Sequence, residues 1–295
     1  MPDQSGKTAL VTGANSGLGY ETARALYEYG AHVILACRNQ NNADTAMSKI
    51  KEHAGRGKLS AGILDLSSLQ SVSAFAKVVL QNHQQLDILV NNAGIALPPS
   101  GRTAEGFELQ LGTNFLGHYA LTGYLYPLLK NTGNARIVSL SSKAYLYGTI
   151  DFDNLKQEKP YDPMREYCQS KLATTIFGVE LQRRISGVHD NPISVIAQPG
   201  ANDSGLSRYM TKEEIAESVK QMGKLMEPWQ GALSILYAAT SLNVIAGGFY
   251  QPDQDDGFRG FPVQASIEPI ALDEKINQRL WNLAEQATQI QLPRK

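Results

Sequence analysis

The sequence predicts an α/β fold in which helices cover both faces of a doubly wound, parallel sheet. Short β-branched and apolar runs alternate with longer stretches of helical periodicity, which is the pattern of successive βαβ units. Several short runs are apolar almost throughout, as in Ile88-Leu89-Val90, which is typical of strands buried on both faces. A glycine-rich turn joins the first predicted strand to the first predicted helix.

The predicted strands follow the apolar runs along the chain. They are Thr8–Val11, His32–Ala36, Leu59–Leu64, Leu86–Val90, Arg136–Leu140 and Ile193–Ala197. Between them, apolar residues recur with the spacing of a helix. The predicted helices are Leu18–Tyr29, Ala43–His53, Val72–Leu80, Glu105–Lys130 and Glu166–Arg184. Because a helix lies between most successive strands, the connections are crossovers and the strands are expected to run parallel.

We expect residues 1–295 to form a single domain, because no repeat, low-complexity tract or Pro/Ser-rich linker interrupts the series. Two long segments, 143–166 and 200–228, follow predicted strand ends, where open α/β sheets bind their ligands. Long excursions in a compact domain are often functional, so both segments are predicted to be lids over a substrate. The tail, residues 251–295, has no clear period before an amphipathic stretch at Glu274–Gln286, and is expected to be irregular.

The composition favours a protein that acts on a small molecule. Hydrophobic residues make up 42% of the chain and the formal net charge is -1, so neither nucleic acid nor an anionic membrane is an expected partner. The two cysteines, Cys37 and Cys168, have no metal-ligand spacing, and no metal is expected. The sequence shows no signal-peptide core and no membrane anchor, which predicts a cytoplasmic protein. A homo-oligomer stays open.

The glycine-rich turn, Gly13, Gly17 and Gly19, follows the first strand and opens a helix, the context in which such a turn binds a pyrophosphate. Alone, it could be an ordinary β–α turn. The second strand then ends at Cys37-Arg38, where a fold that binds NAD usually carries an acid. The guanidinium of Arg38 suits a 2′-phosphate, which favours NADP(H) as cofactor, although a solvated loop charge is the alternative.

Tyr167 and Lys171 are four residues apart on a predicted helix and therefore share one face. An unperturbed phenol has a pKa of about 10 and is a poor base near neutrality. The Lys171 ammonium is expected to lower the pKa of Tyr167 and to fit it for general acid/base catalysis. By itself the pair is weak evidence, because the same spacing is common on ordinary helix surfaces.

Taken together, the motifs resemble the short-chain dehydrogenase/reductase family, in its NADP-preferring, retinol-dehydrogenase-like branch, which includes the oxidoreductase domain of WW-domain oxidoreductase and protochlorophyllide reductase. The resemblance extends from about Lys7 to Ala239. The motifs occur in the family's order: Thr12 to Gly19, Cys37-Arg38, Asp65-Leu66, Asn91 to Gly94, Asn114 in Thr-Asn-Phe-Leu-Gly-His, Ser141-Ser142, Tyr167 with Lys171, and Pro199-Gly200.

The resemblance implies a Rossmann-type domain and assigns roles to its residues. Tyr167 would exchange a proton with the substrate oxygen, Ser142 would bond that oxygen, and Lys171 would hold the nicotinamide ribose. Asn114 would support a water that resupplies the proton. The cofactor-binding residues implied are Gly13, Asn15, Ser16, Gly17, Leu18, Gly19, Arg38, Asp65, Leu66, Asn92, Ala93, Gly94, Tyr167, Lys171, Pro199, Gly200 and Ser204.

Two departures from the family pattern concern the segment around Pro199-Gly200. Members usually carry Val and then Thr after the Pro-Gly pair, whereas here the run is Ala201-Asn202-Asp203-Ser204, in which Ser204 retains a hydroxyl. The branch also commonly has His before the pair, and Gln198 stands there. Both departures weaken any detailed transfer of substrate.

The leading function is therefore an NADP(H)-dependent oxidoreductase that interconverts a carbonyl and an alcohol. The alternatives are reduction of a carbon–carbon double bond and a catalytically silent NADP(H)-binding sensor or scaffold. Aromatic and thioether side chains in the two lid segments, or directly after the second, favour a bulky, mostly apolar substrate, although packing of the lid onto the sheet is an equally good explanation. They are Tyr145, Tyr147, Tyr209, Met210, Met222, Met226 and Trp229.

Overall fold

A computed structural model describes residues 1–293, apart from the side chain of residue 221. Its strands form one sheet in the order β3-β2-β1-β4-β5-β6-β7-β8, in which only β8 is antiparallel to its neighbour. The strands are β1 (Thr8–Thr12), β2 (His32–Cys37), β3 (Lys58–Ile63), β4 (Ile88–Asn91), β5 (Arg136–Leu140), β6 (Ile193–Ala197), β7 (Phe249–Gln254) and β8 (Arg259–Ala265). The predicted fold class, a doubly wound parallel α/β sheet, is confirmed.

Helices cover both faces of the sheet. They are α1 (Gly17–Glu28), α2 (Gln40–Lys51), α3 (Leu69–Asn82), α4 (Leu109–Leu111), α5 (Gly117–Asn131), α6 (Pro163–Gly187), α7 (Lys212–Met222), α8 (Pro228–Thr240) and α9 (Glu274–Thr288). A π-helical turn, Gly112–Leu116, joins α4 to α5. None of the helices among the described residues is long and apolar enough to cross a membrane.

Alternate residues of each central strand enter two separate cores, because successive side chains of a strand point to opposite faces. In β1, Leu10 packs with α3, α5, α6 and α9, whereas Ala9 and Val11 pack with α1, α2 and α8. The sheet is therefore buried on both sides. This burial explains why the central strands β1, β4, β5 and β6 are mostly apolar.

The predicted helix Glu105–Lys130 begins later than expected and is not uniform. The carboxylate of Glu108 accepts hydrogen bonds from the amides of Gln110 and Leu111, at 2.9 and 2.7 Å, and so caps α4. The π-helical turn that follows holds Asn114. Helix α6 instead begins earlier than expected, at Pro163 behind the cap Asp162, so the last residues of segment 143–166 are helical.

The C-terminal residues differ most from expectation. Residues 251–295 were expected to be irregular before Glu274, yet those described include most of β7, all of β8 and helix α9. Pro252 and Pro262 obscure the strand pattern. Pro262 lies in the edge strand β8 and Pro252 lies beyond the pairing of β7 with β6, so each has a side without a neighbouring strand, where proline is tolerated. Helix α9 packs through Trp281 against Tyr119, with ring centroids 5.1 Å apart.

Candidate active site

The glycine turn connects β1 to α1 through two residues with positive φ, Gly13 at 66° and Gly17 at 53°. Ser16 is the N-cap of α1, but its side chain makes no capping bond, and the first turn holds no acidic residue. Helices α2, α3, α6, α7 and α9 all receive a side-chain cap. No side chain in the described part of the chain caps the first amides of α1, which fits a site for a phosphate group.

Thr12 ties this turn to the segment after β4. Its hydroxyl accepts hydrogen bonds from the amides of Asn92 and Ala93, both at 2.9 Å, and the Asn92 side chain donates to the Thr12 carbonyl at 2.7 Å. A Cβ at Gly19 would lie 2.5 Å from the Asn92 amide nitrogen, so only glycine fits there. The structure thus brings the two predicted cofactor segments together.

The residues predicted to surround the adenosine follow β2 and β3. Arg38 is exposed directly after β2 and makes no ion pair within the described part of the chain. Asp65 accepts hydrogen bonds from the amide and hydroxyl of Ser67, at 2.9 and 2.7 Å, and the adjacent Leu66 is buried. Cys37 is buried beneath Arg38, and burial raises the pKa of its thiol to about 11.

Tyr167 and Lys171 lie on the buried face of α6, with the ammonium nitrogen 5.9 Å from the ring centroid. Lys171 donates a 2.9 Å hydrogen bond to the carbonyl of Leu140, the last residue of β5. The helical spacing therefore does place both groups at one point beside the sheet.

The pKa of Tyr167 shifts in the direction opposite to the one expected from sequence. Burial raises it to about 12, while a hydrogen bond with the Ser142 side chain lowers it less strongly. Burial also lowers the pKa of Lys171 to about 8. The predicted lowering of the Tyr167 pKa by Lys171 is thus wrong for this structure, because desolvation of the phenolate outweighs a cation several ångströms away.

The adjacent serines point to different places. Ser141 is buried and its hydroxyl lies 2.6 Å from that of Thr175, inside helix α6. Ser142 is half-buried, caps the 3₁₀ turn Lys143–Tyr147 by accepting from the Ala144 amide at 3.2 Å, and bonds Tyr167. Of the two serines, Ser142 is therefore the one that bonds the Tyr167 hydroxyl.

Asn114 is buried in the π-helical turn with its side chain fully engaged. Its amide nitrogen donates to the carbonyl of Ile95 and to the hydroxyl of Ser170, at 3.0 and 2.9 Å, and its oxygen accepts from the Ile95 amide at 2.9 Å. A Cβ at Gly94 would lie 3.3 Å from that oxygen and 3.7 Å from the Lys171 nitrogen. Gly94 thus lies against both groups. The relay through a water stays a prediction.

The Pro199–Gly200 turn follows β6. Gly200 has a φ of 76°, and a Cβ there would lie 2.5 Å from the carbonyl oxygen of Phe258. Gln198, where the branch commonly has histidine, is buried: its amide donates to the Gly257 carbonyl at 2.7 Å and its oxygen accepts from the Gly200 amide. Gln198, which departs from the family pattern, therefore stabilises this turn.

Ser204 closes the site on the side of the glycine turn. A Cβ at Gly17 would lie 3.5 Å from the Ser204 Cβ, so these two predicted cofactor residues are neighbours. Asn202 donates to the carbonyls of Pro199 and Gly200, at 2.8 and 2.9 Å, and so shapes the loop instead of facing a ligand through its nitrogen. Asp203 is exposed.

Some residues of the site were not singled out from sequence. His118 lies four residues after Asn114, and its ring bonds the Asn114 carbonyl and the Thr12 hydroxyl at 2.9 and 3.0 Å. Helical spacing from Asn114 could have identified it. The hydrogen bonds of Thr12 and Ser170 join segments far apart in the chain. Local sequence patterns do not predict such contacts.

The chain matches the family model for short chain dehydrogenases over residues 7–214. Retinol dehydrogenase 14 of Homo sapiens is 37% identical over an aligned length of 301 residues, and the alignment covers 95% of this chain and 85% of that protein. The crystal structure of an uncharacterized protein from Mycobacterium Paratuberculosis has a TM-score of 0.82 at 34% identity, over 100% of this chain and 97% of that one. The Pseudomonas aeruginosa RhlG/NADP active-site complex has a TM-score of 0.66 at 24% identity, over 84% and 94%.

Fold, site and relatives together define an oxidoreductase of the Rossmann type that acts on CH–OH or C=O groups. The chain belongs to the short-chain dehydrogenase/reductase family, in the branch of the retinol dehydrogenases.

The orientation of the serines predicts different effects of alanine at each. We expect Ser142→Ala to lower kcat by about 100-fold, because it deletes the hydroxyl that bonds Tyr167, where the substrate oxygen is predicted to bind. Ser141→Ala should instead lower the free energy of unfolding by about 1 kcal/mol, because it removes the buried bond to Thr175. Steady-state kinetics and urea unfolding of both variants test this. A larger kcat loss for Ser141→Ala would reverse the assignment.

Burial of Lys171 predicts a pH-dependent cost to stability. Its pKa falls from 10.5 to about 8 in the folded protein, so the unfolded chain binds more protons between these values. The cost is present in full below about pH 8 and is relieved as the pH rises toward about 10. Lys171→Met should therefore raise the free energy of unfolding by about 1–3 kcal/mol near pH 7, and by less near pH 10.

Urea unfolding of wild type and Lys171→Met at both pH values measures this difference. Lys51→Met, on the exposed end of α2, controls for the loss of a lysine at the surface. A Lys171→Met protein that is no more stable than wild type near pH 7, or a difference that does not change with pH, would contradict the expectation.

Proposed function

We propose that this protein is an NADP(H)-dependent oxidoreductase that interconverts a carbonyl and an alcohol on a bulky, mostly apolar small molecule. The observation that carries the proposal is the buried phenol of Tyr167, bonded to Ser142 and next to Lys171 at the edge of the sheet where the glycine turn also lies. These groups suit proton exchange with a carbonyl or alcohol oxygen.

NADPH supplies the hydride when it is bound. Tyr167 is protonated throughout the physiological range, since its pKa lies near 12, and so is ready to donate a proton to a carbonyl oxygen. The Ser142 hydroxyl would hydrogen-bond the same oxygen and stabilise its developing charge. The Lys171 ammonium, anchored on the Leu140 carbonyl, would bind ribose hydroxyls. In alcohol oxidation, Tyr167 would have to be a phenolate in order to accept the proton of the alcohol. Burial disfavours this phenolate form.

The cofactor proposal is supported by the surroundings of the glycine turn. The uncapped amides of α1 would bind the pyrophosphate, with Asn15 and Leu18 flanking it. The exposed guanidinium of Arg38 would bind the 2′-phosphate of NADP(H). The distantly related RhlG structure is an NADP complex, which agrees with this choice. Asp65 and Leu66 would border the adenine.

The substrate proposal is supported by the segment over the site. No described side chain of α7 is fully buried, and its half-buried Ile215, Val219 and Met222 fall on one face. A capping box of Thr211 and Glu214 stabilises this helix locally. An apolar ligand would cover the stripe and close segment 200–228 over the site. Retinol dehydrogenase 14 is named for a mostly apolar alcohol, which agrees.

The decisive experiment is turnover of a panel of carbonyls by wild type and Tyr167→Phe. Wild type should reduce aromatic or polycyclic carbonyls with a higher kcat/KM than small polar ones, and mass spectrometry should identify the alcohol. Tyr167→Phe should lose more than about tenfold in kcat, a cost of at least about 1.4 kcal/mol, because it deletes the transferable proton and preserves the ring.

NADPH fluorescence titration controls for binding and should give a similar Kd for Tyr167→Phe. Retention of more than about a tenth of wild-type kcat would show that Tyr167 is not the acid. A saturated product would favour reduction of a carbon–carbon double bond, and binding without turnover would favour a sensor.

Arg38 predicts the choice between the two cofactors. Wild type should bind NADPH more than about tenfold more tightly than NADH, the scale of a charge-assisted phosphate contact. Arg38→Asp should reduce or invert that preference. A carboxylate would repel the 2′-phosphate of NADPH and would accept hydrogen bonds from the ribose hydroxyls of NADH. Fluorescence titration of both proteins with both cofactors measures it. Equal affinities of wild type for NADPH and NADH would refute the assignment.

A further inference from the structure

The turn between β7 and β8 contacts the residue that directly follows Ser142. The ammonium of Lys143 donates to the backbone carbonyl of Asp256 and lies 2.5 Å from its carboxylate. It also lies 5.2 Å from the centroid of the Phe258 ring. One side chain therefore joins the end of β5 to the turn beyond β7.

This contact crosses an intervening strand. The sheet order places β6 between β5 and β7, and the register pairs Leu140 with Ala197 and Ala197 with Tyr250. Adjacent strands lie about 4.8 Å apart, so the ends of β5 and β7 are separated by about two such spacings. Lys143 therefore links segments that follow strands on either side of β6.

The same turn also holds the Pro199–Gly200 segment from the other side. The Gln198 amide donates to the Gly257 carbonyl at 2.7 Å, and the Ala201 amide donates to the Phe258 carbonyl at 3.0 Å. The turn is thus fixed to the segments that follow both β5 and β6. Movement of the turn would therefore displace Lys143 and its neighbour Ser142. It would also displace Gln198, which bonds the Gly200 amide.

The backbone of the turn needs support. Asp255, Asp256 and Gly257 have successive φ values of 49°, 54° and 83°, a left-handed conformation that non-glycine residues adopt at a cost. Lys143 bonds the carbonyl at the centre of this run. Its side chain is only 15% exposed, whereas that of Asp256 is 87% exposed. A pair with so exposed a partner adds little stability, so the geometry it fixes is its main consequence.

We propose that Lys143 is a positioning residue of the active site. By joining the Ser142 backbone to the turn Asp255–Gly257, it fixes the Ser142 hydroxyl relative to Tyr167 and to Pro199–Gly200. The inference rests on the proposed function, in which Ser142 bonds the substrate oxygen. Misplacement of such a group by a fraction of an ångström reduces the rate of the chemical step much more than the binding of the cofactor.

The test compares Lys143→Met with Lys143→Arg, which keeps a cation and hydrogen-bond donors. Lys143→Met should lower kcat by about tenfold while the Kd for NADPH changes by less than about twofold, and Lys143→Arg should restore most of kcat. Lys130→Met is the matched control, because it breaks a lysine–aspartate pair, with Asp190 at 3.0 Å, remote from the site. Its kcat should equal that of wild type.

A second variant tests whether Lys143 acts through the turn. Asp256→Asn removes the charge but preserves a residue type that tolerates positive φ. It should lower kcat in the wild-type background and have no further effect in Lys143→Met, because the two residues act through one contact. Full additivity of the two losses would overturn the proposal.

The controls separate this inference from the function on which it rests. If Ser142→Ala and Tyr167→Phe are inactive, a wild-type kcat in Lys143→Met, or an equal loss in Lys143→Arg, would overturn the positioning role alone. Wild-type turnover by Ser142→Ala would also overturn the positioning role, whereas wild-type turnover by Tyr167→Phe would overturn the proposed function. Thermal unfolding of each variant excludes a loss of folded protein as the cause.

Discussion

The parallel pairing of strands β1 to β7 is the constraint on which the rest of the structure depends. Strands that run in one direction end at one edge of the sheet, so the segments that follow them become neighbours in space. The register from Leu140 through Ala197 to Tyr250 sets Ser142 beside Pro199 and the turn after β7. Helix α6 then brings Tyr167 to the same edge, as part of the crossover from β5 to β6. The site is thus a consequence of topology more than of any single contact.

A buried histidine helps to hold this edge together without adding a charge. The His118 ring bonds a carbonyl that can only accept, so its Nδ1 carries the proton and its Nε2 accepts from Thr12. Burial lowers the pKa of His118 to about 4, which keeps the ring neutral. A neutral ring links Asn114 to the glycine turn at a far lower cost than a buried ion. Lys171 is the contrasting case, since burial of its ammonium disfavours folding.

The far edge of the sheet shows how the C-terminal residues contribute to the site. Strands β7 and β8 extend the sheet beyond β6, and their connecting turn supports the segments after β5 and β6. Helix α9 covers α5 and α6 through Trp281, which also stacks on Phe177 with ring centroids 6.0 Å apart. Helix α6 is therefore packed on its outer side while its inner side presents Tyr167. Helix α9, which is distant in sequence from the motifs, therefore helps to fix the position of helix α6 and of its Tyr167 and Lys171.

The sequence by itself determined the features set by local periodicity: the first six strands, the glycine turn, Arg38 at the end of β2, and Tyr167 with Lys171 on one helical face. The sequence did not predict strands β7 and β8 or helix α8. Prolines and weak alternation obscure these elements, which form through strand pairing and helix packing. Only the tertiary structure decided that Ser142 and not Ser141 bonds the phenol, and that Lys143 contacts the turn after β7. It also decided that burial raises the pKa of Tyr167. Burial and contacts between strands arise from residues far apart in the chain, so local spacing cannot encode them.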